Sequence, residues 1–274
     1  MRPQVADIAI PPLPPDLAWV GVRRAPPIDA LAAAGPVLVH FFDLAQVNSV
    51  RTLPYLRVWR QRYAEEGLAV LGVHTPRFPF TAPRRAVAAA VRRLEIPYPV
   101  AVDCRFRAWR AYGCEGWPSL FLWGRGGALR WFHFGEGEYR ATEEMLQELV
   151  LEARPHARLP EPLPPLRASD APGALVMAPT DELFPGGSAE RPWEAKDADP
   201  ALELEYEAGG AFAAADGEGA LELELDRRPA DPIAVDGPGL YEIALHDRHE
   251  QHRLRLRPSA GVRVWSVSFA AGVP

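Results

Sequence analysis

The chain has 274 residues, 30 prolines, 22 glycines, two cysteines and a formal net charge of −6, and its length suggests two domains of roughly 100–200 residues each. Two cysteines exclude a disulfide framework and a zinc site with four thiolates. The single lysine among 29 arginines, with the arginines dispersed rather than blocked, reads as coding bias and not as nucleic-acid binding.

No run of about 18 apolar residues occurs, which excludes a membrane-spanning helix. The first twenty residues lack the apolar stretch of a secretory leader, so a cytoplasmic location is expected. Residues 1–159 carry 20 Arg against 15 acidic residues, and residues 160–274 carry 10 Lys+Arg against 21 acidic residues. The change coincides with 153–173, a stretch holding six prolines. Such a segment packs neither as helix nor as central strand. The expected organisation is a first domain over 1–153, a Pro-rich linker over 154–173 and a second domain over 174–274.

In the first domain, PVLVHFF (36–42) is a continuous apolar run, as in a buried strand. Residues 47–67 place Val50, Leu53, Leu56, Trp59 and Tyr63 at helical spacing, with Pro54 as an interior kink. LAVLGVH (68–74) predicts a second buried strand and 82–95 an amphipathic helix. YPVAVD (98–103) predicts a third strand, and 105–113 a short helix ended by Gly113. Residues 120–134 read as a hairpin around the turn GRGG, which lacks the Lys-Ser/Thr of a phosphate loop. Residues 141–153 predict a last helix with Thr142 as N-cap. Strands alternating with helices imply an α/β sheet.

In the second domain the period becomes two. LELEY (202–206) and LELEL (221–225) alternate apolar and acidic residues, and 239–269 continues the pattern. AGG, DGEG and DGPG read as turns between strands, so an antiparallel β-sandwich or jelly roll is expected.

The strand–helix order of the first domain, together with YGCEGWPSLFLW (112–123), resembles a thioredoxin-like fold. NSVRTLPYL (48–56) and GLAVLGVHTPRF (67–78) resemble more narrowly the DipZ-type thiol–disulfide interchange domains, relatives of the TlpA group, over roughly residues 17–152. The resemblance implies a carbohydrate-binding-module-like β-sandwich as second domain, and relatives that work outside the cytoplasm. It also implies a cis Trp117–Pro118 bond beside a surface that takes an extended peptide or protein, with Asn48, Trp117, Pro118 and His74 as binding candidates. Asn48, Arg51, Thr52, Leu53 and Pro54 match the family motif, but Gln46 and Ser49 stand where it has its two redox cysteines. Dithiol exchange needs an attacking and a resolving thiol, and neither an amide nor a serine hydroxyl supplies one. The expectation is a domain that has lost both redox cysteines and acts as a binding or scaffold module.

Other polar candidates are weaker. Cys104 and Cys114 are separated by a short helix more than ~10 Å long, too far for a disulfide. Cys114 is either a small buried hydrophobe or a single reactive thiol that would support monothiol redox chemistry. His74 has no acid or nucleophile obviously beside it. His246, His249 and His252 share a face only on a helix, and a solvated hairpin is expected there rather than a metal site. Trp193 and Trp265 read as packing residues, so carbohydrate binding rests on the resemblance alone. No cofactor is implied.

Overall fold

The computed structural model describes residues 1–3, 8–195 and 200–274. They divide into two compact units. Met1–Leu44, Asn48–Pro76 and Ala82–Leu166 form the first; Ala45–Val47, Arg77–Thr81 and Arg167–Pro274 form the second.

The first unit runs β1 (Ala18–Val20), α1 (Ile28–Ala34), β2 (Val37–Phe42), α2 (Val47–Tyr63), β3 (Ala69–His74), α3 (Arg84–Arg93), β4 (Val100–Val102), α4 (Arg107–Tyr112), β5 (Ser119–Trp123), β6 (Leu129–Phe134) and α5 (Tyr139–Ala153). The strand order is β1-β4-β3-β2-β5-β6. β3 lies parallel to β2 and β4 parallel to β3, while β5 and β6 are antiparallel additions on the other side. This is the thioredoxin-like arrangement, and it seats 36–42 directly beside 120–123. β1 and α1 were not legible in the sequence: three residues at an edge and a seven-residue helix leave too little periodicity.

All six residues of β2 are buried, as a strand covered on both faces requires. Val37, Val39 and Phe41 join Leu71, Val73, Phe121 and Trp123 in one apolar cluster. On the opposite face His40 stacks on Phe42 at 5.0 Å, and Phe42 meets the edge of His74 at 5.5 Å. Gly72, opposite His40, makes room for this face: a β-carbon there would stand 3.2 Å from both Phe42 and Tyr98.

Thr142 is not the N-cap of α5. The helix begins at Tyr139 after Glu138, and the buried Thr142 hydroxyl accepts instead from the Trp131 indole at 3.1 Å. The Pro-rich segment is also less of a spacer than its composition suggests. The Leu163 amide donates to Glu143 at 2.8 Å, the Leu166 amide to the Tyr55 hydroxyl at 2.8 Å, and Gln147 to the Pro160 carbonyl at 2.8 Å. Glu143 is buried and also accepts from Tyr63 at 2.6 Å and Arg62 at 3.2 Å. Proline-rich backbone retains few donors, and those of Leu163 and Leu166 are used to fasten it.

The second unit is all-β and antiparallel: β7 (Leu202–Leu225), β8 (Arg228–Asp236), β9 (Gly239–Pro258) and β10 (Val262–Ala270). AGG and DGEG are not turns, since β7 continues through both as one element of 24 residues. Its glycines serve close approach: Gly217 has φ +99°, and a β-carbon there would collide with the Gly261 carbonyl. DGPG does connect β8 to β9. HDRHEQH is not a hairpin either; it lies within β9. Leu245 pairs with Gly210 and Glu250 with Ala208, so residues 246–249 bulge opposite Gly209 alone. Buried Asp216 accepts from the Trp265 indole at 2.9 Å and from Arg263.

Neither ring nitrogen of buried His40 has a hydrogen-bond partner among the described residues, and burial holds its pKa down at about 3. An unfolded chain takes up this proton below about 6.5. Stability is therefore unaffected by His40 above pH 6.5 and falls as pH drops toward 3, by up to about 1.4 kcal/mol per pH unit. His40→Leu is expected to remove that component, read as a flatter pH dependence in chemical denaturation. Glu143→Ala is expected to cost roughly 2–4 kcal/mol and to raise hydrogen exchange at the Leu163 amide.

Candidate functional site

The site is built where strands end. After β2 the chain turns through Asp43 and enters α2, which carries Asn48 and Ser49 in its first turn. The Ser49 hydroxyl is buried and accepts from the Asp43 amide at 3.3 Å. Thr52 donates to the Asn48 carbonyl at 2.8 Å and pairs with the Tyr139 hydroxyl at 3.0 Å. Gln46 directly precedes the helix. Neither Gln46 nor Ser49 offers an ionisable sulfur, so the helix N-terminus, which would favour a thiolate, has none to act upon.

His74 ends β3 and is fully buried. The acid that sequence reasoning did not pair with it is Asp43, also fully buried, whose Oδ2 lies 3.5 Å from His74 Nε2. Parallel pairing of Phe42 with His74 brings the two strand ends level. The signal was an acidic residue immediately after the apolar run FF, at the C-terminal edge of the parallel strands.

The Trp117–Pro118 peptide is cis. Pairing of Ser119 with Phe41 places Pro118 at the same edge of the sheet as the end of β2. The Trp117 indole donates to the Thr75 carbonyl at 2.9 Å, tying the loop before β5 to the end of β3. The rings of Trp117 and Trp109 lie 4.5 Å apart, and Phe106 reaches both at 6.1–6.3 Å. This half-buried aromatic group was not foreseen.

It is held by Asp103. One carboxylate oxygen accepts from the Arg107 amide and the other from the Trp109 amide, each at 2.9 Å. Phe106, at the N-cap position, sits in the left-handed region at φ +56° and supplies no cap bond. Asp103 therefore satisfies two donors that the first turn of α4 leaves open.

Both cysteines are free thiols. Cys104 is exposed and donates to the Ala82 carbonyl at 3.0 Å. Cys114 packs against the apolar cluster that includes Tyr112 and Phe121, and burial pushes its pKa far above the ordinary thiol range. In the second unit, Trp265 is buried, while His246 and His252, unconnected by sequence spacing, stack face to face at 3.6 Å. Among the described residues no group of three His, Cys, Asp or Glu is arranged to hold a metal ion, and no helix is long and apolar enough to cross a membrane.

Asp103→Ala is expected to cost roughly 1–3 kcal/mol, because a buried double cap is lost. Near-UV circular dichroism should weaken as Trp109 and Trp117 lose their fixed geometry.

No protein-family model matches the chain. The chain is 30% identical, over an alignment 294 positions long, to "Protein DipZ" of Mycobacterium tuberculosis and of Mycobacterium bovis, covering 93% of this chain and 42% of DipZ. It thus spans less than half the length of those curated relatives. It is 23% identical to "Thiol-disulfide oxidoreductase YkuV" of Bacillus subtilis, over 52% of this chain and 95% of that protein. A solved structure described as a thioredoxin-like protein in the oxidized form aligns with TM-score 0.48 and 22% identity, over 53% of this chain and 95% of its own.

Proposed function

We propose that this chain, a DipZ homologue carrying a thioredoxin-like domain, uses that domain to hold an extended peptide or protein segment without exchanging thiols. The observation that carries the reading is the pair of residues at the motif's cysteine positions: Gln46 and Ser49, in a chain whose only thiols are Cys104 and Cys114. Disulfide exchange needs a thiolate to attack and a second thiol to resolve the mixed disulfide. The Ser49 hydroxyl instead accepts a backbone hydrogen bond.

What supports peptide capture is the geometry that remains. An extended segment pairs with backbone groups that no sheet neighbour takes; β5 lies between β2 and β6, so in this reading the pairing backbone is that of the loop through Trp117. Pro118 leads into β5, and the half-buried ring of Trp117 stands beside it, fixed by its bond to Thr75. Asn48, half-buried at the start of α2, joins the binding set, whereas His74 is fully buried at the end of β3 and serves only as packing beneath it. In this reading 174–274 is a second module, a β-sandwich like those of carbohydrate-binding modules. The burial of Trp265 removes one ring on which a sugar could stack, so carbohydrate recognition there rests on likeness of architecture.

The rival is single-thiol chemistry at Cys114, which its burial and raised pKa disfavour. Insulin reduction by the full chain with dithiothreitol separates the two. Wild type is expected at background, and Gln46→Cys combined with Ser49→Cys is expected to form a disulfide on oxidation and to gain activity. Wild-type activity abolished by Cys114→Ser would establish the rival. For capture, Trp117→Ala should weaken binding of extended peptides at least about tenfold, read by calorimetry on the full chain.

A further inference from the structure

The bulge in β9 does something the strand pattern does not require. It carries His246 back over His252, six residues later in the same strand. The two imidazole rings lie 3.6 Å apart and within 13° of parallel. Each is fixed by a different element. Tyr206 of β7, the register partner of His252, bonds His246 Nε2 through its hydroxyl at 2.9 Å. Asp226, in the turn after β7, bonds His252 Nδ1 at 2.9 Å and also accepts the Arg253 amide at 2.9 Å.

We propose that the His246–His252 stack is a pH-sensitive latch that fastens the 246–249 bulge of β9 onto β7 and releases it when both rings are protonated. The stack tolerates one proton. An imidazolium facing a neutral ring is an attractive pairing, and the Asp226 carboxylate accepts a hydrogen bond from His252 Nδ1 on the outer side of the stack. Two imidazolium rings in contact repel, and among the described residues Asp226 is the one carboxylate bonded to either ring.

The surrounding charges fit this assignment. From β7 come Tyr206, whose phenol stays neutral because burial raises its pKa, and Glu205, which is bonded to Gln251 at 3.4 Å. From the turn come Asp226 and Arg227, which line a small pocket with His252 and Arg253. From β9 come Asp247, Arg248 and Glu250, around His246. The amide of Arg253 and the ring of His252 hold the Asp226 carboxyl below its usual range, so it stays charged through mild acid. Burial and the neighbouring His252 push the His246 pKa down, against weaker opposition from Asp226 and Glu250. Protonation of His246 therefore falls below the ordinary histidine range, and once both rings are charged the stack is broken.

The latch is independent of peptide capture, since every group in it belongs to the second unit. Two measurements on the full chain test it. First, histidine side-chain NMR titration should show His246 and His252 titrating in steps at least about one pH unit apart. Coincident midpoints near 6.5, the ordinary value, would overturn the proposal. Second, amide exchange at 244–252, corrected for the intrinsic pH dependence of exchange, should speed up at least about tenfold between pH 7.5 and 5 relative to amides of β10. His246→Phe keeps a ring over His252 without a second charge and should abolish that acid-dependent opening. Equal acid opening in His246→Phe, or no opening in wild type, would refute the latch.

Discussion

The register of β2 with its two neighbours is the constraint on which the first unit rests. Parallel pairing puts Phe42 level with His74, and antiparallel pairing puts Phe41 level with Ser119. Those two alignments decide what meets at the end of the sheet: Asp43, the entry into α2, His74, Thr75 and the Trp117–Pro118 loop. A one-residue slip of β2 would exchange its faces. It would turn His40 and Phe42 into the cluster now filled by Val39 and Phe41. Burial on both faces makes that exchange costly and so holds the site in place.

Carboxylates then organise what the sheet positions. Asp103 caps α4, Glu143 gathers Tyr63, Arg62 and the Leu163 amide, and Asp216 binds Trp265 and Arg263. Each accepts from several donors while buried, the condition under which a charge can be kept out of water. Asp103 and Glu143 fix segments of irregular backbone, the loop into α4 and the proline-rich stretch to Leu166. Hydrophobic burial alone would leave such segments loose, because they have few apolar side chains to contribute. Tyr63, its pKa pushed up to about 12 chiefly by burial, remains a proton donor to Glu143 across the ordinary pH range.

The elements legible in the sequence were those whose periodicity follows burial. The runs 36–42 and 68–74 are apolar because both of their faces are covered, and Leu53, Leu56, Trp59 and Tyr63 share one buried face of α2. Motif residues made the thioredoxin-like order legible beyond periodicity. What was not legible depends on pairing between distant residues. The glycines at 209–210 and 217–219 look like turns until a partner strand is laid against them. Thr142 looks like a cap until Trp131 claims its hydroxyl. His74 looks isolated because the distance to Asp43 is set by strand register, 31 positions apart in the chain. Histidines 246 and 252 would lie on one face of a regular strand but about 20 Å apart, and only a bulge of four residues stacks them.

The same dependence explains how this thioredoxin-like scaffold stands with no thiol at the entry to α2. The sheet register, the Asp103 cap and the bond between Trp117 and Thr75 are made by groups other than the Gln46 and Ser49 side chains. Each of those rests on backbone groups or on side chains elsewhere. Ser49 at the entry to α2 places a small polar atom there, one that accepts the Asp43 amide and so satisfies a buried donor. The chemistry of the site and its shape are therefore separable. The side chains at 46 and 49 are a local feature, whereas the proline loop and its aromatic wall are consequences of the fold and disappear only with it.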